Sequence, residues 1–218
     1  MPPHDPPALL RQGAALHAAG DLAAAERLYR QTLKLDPREA NAHNLLGVLA
    51  RQRGDATEAL RHTGRALALQ PEAPVFLANH GGALAEAGRL TDAVLTLRAA
   101  LVRRPADPVT LRNLGQALCG LGDAKGALEP LERAAALLPE AAEPLLALAH
   151  ARREAGDAVG ATGAAAAALE RAGTEPELAA QARFLLAALG RAAAPDRAPA
   201  AYVRSLFDQF APPVSRRS

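Results

Sequence analysis

Glycine recurs in this chain at Gly20, Gly54, Gly88, Gly122 and Gly156, a constant step of 34 residues, and Gly190 continues the series. Three further ladders keep the same step. Pro37, Pro71, Pro105 and Pro139 form one, and Ala25, Ala59, Ala93, Ala127 and Ala161 another. Gly13, Gly47, Gly81 and Gly115 form the last, with Ala149 in fifth place. Four ladders in one register mean a repeated structural unit, and a period between about 20 and 50 residues means an array of small supersecondary units.

Each unit reads as two helices. In "NAHNLLGVLARQRGDATEALRHTGRALALQP" the first half carries small and apolar residues at helical spacing and stops at "RGD". The glycine suits the left-handed position that ends a helix. The residue after it caps the next helix, and Asp21, Asp55, Asp123 and Asp157 occupy that position. The second helix runs to the proline, which cannot continue it. Alanine makes up about a quarter of the chain, and it is the strongest helix former. Gly47 and Ala59 are expected to let the two helix backbones approach closely, a crossing that larger residues would force apart. No unit buries its apolar face alone, so neighbours stack.

These residues resemble the tetratricopeptide repeat. The fourth unit matches at Leu111, Leu114, Gly115, Leu118, Ala127, Leu131 and Pro139, the third at Leu77, Gly81, Leu84, Ala93, Leu97 and Pro105, and the first at Leu9, Gly13, Leu16, Ala25, Tyr29 and Pro37. The second departs at His43 and Thr63. The fifth departs at Arg152, Ala165 and Gly173. The resemblance implies an all-α, right-handed α-solenoid of about five helix pairs. It covers residues 6–190 and includes a C-terminal capping helix; a linker over 191–201 and a tail over 202–218 with a short tail helix follow. Small side chains bury less area, so stability is expected to be modest and lowest at the fifth unit. In the capping segment "GTEPELAAQARFLLAALG", Thr174 and Glu177 read as a capping box with Pro176 in the first turn, and Leu178, Phe184, Leu185 and Leu189 as its apolar side.

Chemistry is sparse. His4, His17, His43, His62, His80 and His150 show no i, i+3 or i+4 pairing, and they occupy different repeat positions. Neither a local metal motif nor an aligned histidine site is expected. Cys119 is the single cysteine, which excludes an internal disulfide. No phosphate loop, serine elbow or dinucleotide fingerprint occurs, so neither catalysis nor a cofactor is expected. Glu58 and Glu86 read as ordinary surface charges. The formal net charge is +2. The arginines at 98, 103, 104, 112, 152 and 153 are diluted by acids and lack aromatic neighbours, against nucleic-acid binding. No run approaches the ~20 apolar residues of a membrane span. The N-terminus lacks the basic and long apolar segments of a secretory signal, so the expected location is cytoplasmic.

What remains is a surface. The resemblance implies a concave groove lined by first helices, which binds a protein or an extended peptide. Its expected lining is Asn41, Asn44, Val48, Arg51, Val75, Asn79, Glu86, Arg112, Asn113, Gln116, Cys119, Glu143 and His150. Asn79 and Asn113 stand one period apart, as in the asparagine ladder of repeats attached to protein O-glycosyltransferases. Side-chain amides offer both donors and acceptors to a peptide backbone. The basic clamp that some family members use for acidic chaperone tails is not evident, since only Arg112 is in place.

Three of the six aromatic residues lie in "AYVRSLFDQFAPPVSRRS". Tyr202, Val203, Arg204, Leu206, Phe207, Asp208, Phe210 and Ala211 resemble the opening of the class I methyltransferase domain that follows such repeats in bacterial proteins. That domain would bind S-adenosylmethionine, and the chain ends before it. Tyr202, Leu206, Phe207 and Phe210 also read as one side of an amphipathic docking helix, compatible with that resemblance, and this face is expected either to fold back on the capping helix or to dock on another chain, where it would give self-association.

Overall fold

The computed structural model describes residues 5–190, and the tail residues Tyr202, Leu206, Phe207 and Phe210 lie outside that range. Eleven helices and no strand occur among the described residues. They are α1 (Pro6–Ala18), α2 (Leu22–Leu35), α3 (Ala40–Gln52), α4 (Ala56–Leu69), α5 (Pro74–Glu86), α6 (Leu90–Arg103), α7 (Pro108–Gly120), α8 (Ala124–Leu137), α9 (Ala142–Glu154), α10 (Ala158–Arg171) and α11 (Pro176–Ala188). Residues 5–117 form one compact unit and residues 118–190 a second, with the boundary inside α7.

The turn chemistry follows the sequence closely. Gly20, Gly54, Gly88, Gly122, Gly156 and Gly190 have φ between 71° and 87°, in the left-handed region that a side chain disfavours. The residue after each of the first five glycines donates its N–H to a carbonyl five positions back, as Asp55 does to Ala50 at 2.9 Å. This closes the preceding helix and satisfies an orphan carbonyl. Four of those residues then cap the next helix. Asp21, Asp55, Asp123 and Asp157 accept from the N–H groups of Ala24, Glu58, Gly126 and Gly160 at 2.8–3.0 Å. The third unit differs: Arg89 stands at the cap and makes no such bond. The ladder prolines lie between helices, and Pro6, Pro74, Pro108 and Pro176 open theirs, where a missing N–H costs nothing.

Gly13, Gly47 and Gly81 of the first unit each face a side chain 16 residues later. A Cβ on Gly13 would fall 2.6 Å from Tyr29 Cε1, one on Gly47 2.5 Å from Thr63 Cγ2, and one on Gly81 2.6 Å from Leu97 Cγ. Each glycine is therefore a socket for a second-helix side chain. The expected closeness of Gly47 to Ala59 is a smaller part of this crossing, with the Ala59 carbonyl oxygen at 3.4 Å. Tyr29, fully buried, joins Ala25, Leu46 and Leu49 in a core shared by α1, α2 and α3. A second cluster joins Ala40, Ala66 and Phe76 across α3, α4 and α5.

The second unit is built from smaller groups. Ala161, Ala164, Ala165 and Ala168 are the buried residues of α10, and Ala149 on α9 is fully buried. Helix α11 packs against α10 and α9, where Ala179 and Leu178 meet Ala142, Leu169 and Ala172. The expected capping box is not formed. The N-cap of α11 is Glu175 rather than Thr174, and no side chain bonds the first turn. The Glu175 N–H instead turns back to the Ala172 carbonyl at 2.7 Å. That turn contains Gly173, at φ +48°, and it moves the helix start one residue past the box. The apolar side is also rotated from the expected one: Ala179, Ala182, Leu185 and Leu186 are buried, while Leu178, Phe184 and Leu189 are half-buried.

Candidate functional site

Successive first helices of the first unit meet through polar side chains, and most of these are already engaged. Asn79 donates from Nδ2 to Asn44 Oδ1 at 2.8 Å, and Asn44 is only 6% exposed. Two turns further along, the Arg51 guanidinium gives Nε to both Glu86 oxygens at 3.1 Å and Nη2 to Oε1 at 2.7 Å. Gly82 makes this crossing possible, because a Cβ there would sit 2.6 Å from Arg51 Cζ. Between α1 and α3, the His17 ring contacts Gln52 Oε1 through Nε2 at 3.0 Å and the Tyr29 hydroxyl through Nδ1 at 3.3 Å. All three links between first helices join residues 35 apart, one more than the period. Glu86 is thus an interhelical partner and not simply a surface charge.

The remaining expected groove residues separate into two groups. Asn41 is exposed, and its backbone and side-chain nitrogens both donate to Glu39, the N-cap of α3. His150, in the second unit, is held neutral: burial, then Arg153, pull it down to about 4. On α7 the situation is different. Arg112 Nε is buried and has no hydrogen-bond partner, the one such side-chain atom among the described residues. Asn113 beside it is 8% exposed, and Gln116, one turn on, is exposed. A buried N–H of a charged group without an acceptor is costly, and it sets this turn of α7 apart from the paired polar residues of α3 and α5.

The histidines depart from expectation. His43 on α3 and His62 on α4 meet with Nδ1 atoms 3.1 Å apart, although 19 residues separate them. Their ring centres are 5.4 Å apart, about what that contact plus two ring radii gives on one line, so the nitrogens meet head-on and share a proton. They do not converge on a third point as metal ligands would. No group of three or more His, Cys, Asp or Glu side chains among the described residues could hold a metal ion. The signal available in the sequence was that His43 and Thr63 both break the repeat pattern in one unit. Thr63 Oγ1 donates to the Ala59 carbonyl at 2.7 Å and so receives His80 Nδ1 at 2.9 Å. His62 also borders a cleft of about 90 Å³ over Leu46, Leu49 and Ala50, ringed by Glu26, Arg30, Arg53, Asp55 and Glu58. Its charges are paired: Glu26 binds Arg30 at 2.8 Å and Arg53 at 2.5 Å, and Arg53, then Arg30, hold its carboxyl below the usual range. Cys119 is half-buried, and burial, then Glu154 and Asp123, push its thiol up to about 11. It is a poor nucleophile at neutral pH.

The tetratricopeptide repeat model matches residues 10–74, 50–108 and 78–142, together more than half of the chain. The chain is a tetratricopeptide repeat protein. Solved structures share the fold of this repeat protein at low identity. A thermophilic tetratricopeptide repeat protein of Thermus thermophilus, TTC0263, is 24% identical over 84% of this chain and all of its own, with a TM-score of 0.71. PilW, a type IV pilus biogenesis factor, is 19% identical over 94% of this chain and 93% of its own, with a TM-score of 0.75. The Cut9–Hcn1 assembly of the APC/C contains a chain 19% identical over 85% of this one and 37% of its own, with a TM-score of 0.76. No curated protein matches the chain. No described helix is long and apolar enough to cross a membrane.

Proposed function

We propose that this repeat protein is a non-catalytic, cytoplasmic scaffold that binds an extended peptide or protein segment along its first helices, with α7 as the anchoring turn. The observation that carries the reading is the Arg112 Nε, buried without an acceptor. The Arg112 side chain would turn its guanidinium out to a carbonyl or carboxylate of the partner, and charge-assisted bonds of this kind are the stronger ones. Asn113 and Gln116 flank the guanidinium with amides that both donate and accept. In this reading Asn44 and Asn79 fix neighbouring helices, and Asn41 and His150 contribute little. Peptides selected from a random library against the full chain provide the test. Arg112→Gln should weaken the selected peptides by about tenfold or more, which corresponds to about 1.4 kcal/mol, with helicity unchanged. Peptides that bind both proteins equally would remove α7 from the site.

The tail is a separate proposal, resting on the sequence of 202–211 alone. Tyr202, Leu206, Phe207 and Phe210 would dock on another copy of the chain, because several large apolar groups on one side are unfavourable in water. Phe207→Asp should shift the sedimentation profile toward the monomer. The alternative, the repeat part of a truncated or split methyltransferase without its catalytic domain, predicts that calorimetry of the purified chain with S-adenosylmethionine shows no saturable binding, and saturable binding would overturn that expectation.

A further inference from the structure

The His43–His62 contact fixes the position of every imidazole proton around it. Arg61 is clamped to Glu58 through Nε and Nη2 at 2.8 and 2.6 Å, and Nη2 also points at His62 Nε2 from 2.8 Å. A guanidinium only donates, so His62 Nε2 must carry a lone pair and the His62 proton must sit on Nδ1. That proton is given to His43 Nδ1, 3.1 Å away, which must therefore be the acceptor. His43 then holds its own proton on Nε2, which faces the Pro37 carbonyl at 3.3 Å. The chain Arg61 → His62 → His43 → Pro37 has one donor and one acceptor in every contact, and it has one solution, with both rings neutral.

We propose that this relay is a proton-sensitive latch that holds α3 to α4 and to the turn before α3, and that acid releases it. A second proton has two places to go, and both break the latch. On His62 Nε2 it faces the Arg61 guanidinium. On His43 Nδ1 it faces the His62 Nδ1–H. The surrounding charges make the direction definite. From α4, Arg61 and Arg65 oppose a positive ring, and from α2 Arg30 does the same. Glu58, 3.7 Å from His62 Nε2, favours it. Glu26, Arg53 and Asp55 border the same cleft, with Glu26 already engaged by Arg30 and Arg53. The α5 ring, His80, points at Thr63 and takes no part in the relay. The released state is therefore one in which a protonated His62 exchanges Arg61 for Glu58, and Arg61 loses its contact with the ring.

The sign follows from proton counting. Burial, reinforced by Arg61, lowers His62 from 6.5 to about 4, and burial lowers His43 as well. Between those values the unfolded segment binds a proton that the folded one refuses. Stability is complete above pH 6.5 and is lost as pH falls through that window. Each proton taken up changes the opening equilibrium about tenfold per pH unit.

The decisive experiment is a two-dimensional 15N imidazole NMR spectrum of the full chain at pH 7, followed by titration to pH 4 with amide exchange. The relay requires the Nδ1–H tautomer at His62 and the Nε2–H tautomer at His43. It also requires protection of α3 and α4 amides to fall about tenfold per pH unit relative to α1. His62→Gln, which cannot take up the proton, should remove most of that acid dependence. An Nε2–H tautomer at His62 would overturn the latch, as would independent titration of the two rings near 6.5 or α3–α4 protection that does not respond to pH. The tautomer measurement needs only the parent protein, so it stands even if the variant fails to fold.

Discussion

The first three helix pairs and the fifth solve one packing problem in opposite ways. At Gly13, Gly47 and Gly81 the first helix supplies no side chain, and the second supplies Tyr29, Thr63 or Leu97 to fill the space. At the matching positions of the fifth pair stand Ala149 and Ala165, both fully buried. The volume is shared between two methyl groups instead of being concentrated in one large group. The difference teaches that repeat position alone does not fix how much stability a crossing contributes. A large side chain in a glycine socket removes more apolar area from water and makes more contacts than a pair of alanines. The socket arrangement is therefore the stronger and the less tolerant of the two.

That contrast can be broken most severely at Tyr29. It is fully buried, so Tyr29→Ala should leave a cavity between α1, α2 and α3 and cost about 3–5 kcal/mol. Ala165→Gly in the fifth pair should cost only about 1 kcal/mol, mainly from helix propensity. Denaturant midpoints measured by circular dichroism compare the two, and similar shifts would mean that the sockets carry no special weight.

A smaller effect tests the socket from the other side. Gly81→Ala would press a methyl group against Leu97 Cγ at 2.6 Å, an overpacking that should cost about 1–3 kcal/mol. Adding Leu97→Ala to that variant converts the third pair to the alanine arrangement. The double variant should then lose less than the sum of its single losses, with a coupling of about 1 kcal/mol or more. Strict additivity in thermal unfolding would show that the two residues do not share one space.

The smallest expected change runs in the reverse direction. Ala149→Gly with Ala165→Leu gives the fifth pair a socket and a group to fill it. The glycine costs about 1 kcal/mol, and burying the leucine side chain contributes about 1.5–3 kcal/mol, so a net gain of about 1 kcal/mol is expected. Hydrogen exchange in α9 and α10 reads it directly. A loss of protection would mean that the fifth crossing is already set at its alanine spacing.

Several features were legible because they are local. A positive-φ glycine, an aspartate three residues before the N–H it caps, and a proline at a helix start depend on neighbours within one turn. They appear where the sequence places them at Gly20, Asp21, Gly54, Asp55, Gly156 and Asp157. Arg89 and Thr174 were less transparent. At Arg89 the period continues without the cap chemistry, and at Thr174 the turn through Gly173 shifts the helix start by one residue. The candidate site was read only in part. Arg112, Asn113 and Gln116 were identifiable as first-helix polar residues, but the pairing of Asn44 with Asn79 and of Arg51 with Glu86 was not. Those partners are 35 residues apart, so comparing equivalent positions at the period of 34 passes them by.

The sequence by itself determined the helix-pair repeat, its turns and its caps, because each of these is decided by a handful of consecutive residues and then multiplied by the period. Tertiary structure decided which side chains meet across helices: Tyr29 in the Gly13 socket, His43 against His62, and Asn79 on Asn44. Those contacts span 16, 19 and 35 residues. Whether two such groups touch depends on helix crossing geometry and side-chain direction, which no periodicity encodes. For the same reason Arg112 is one more basic residue in the sequence and becomes a candidate anchor only once packing has buried its Nε away from any acceptor.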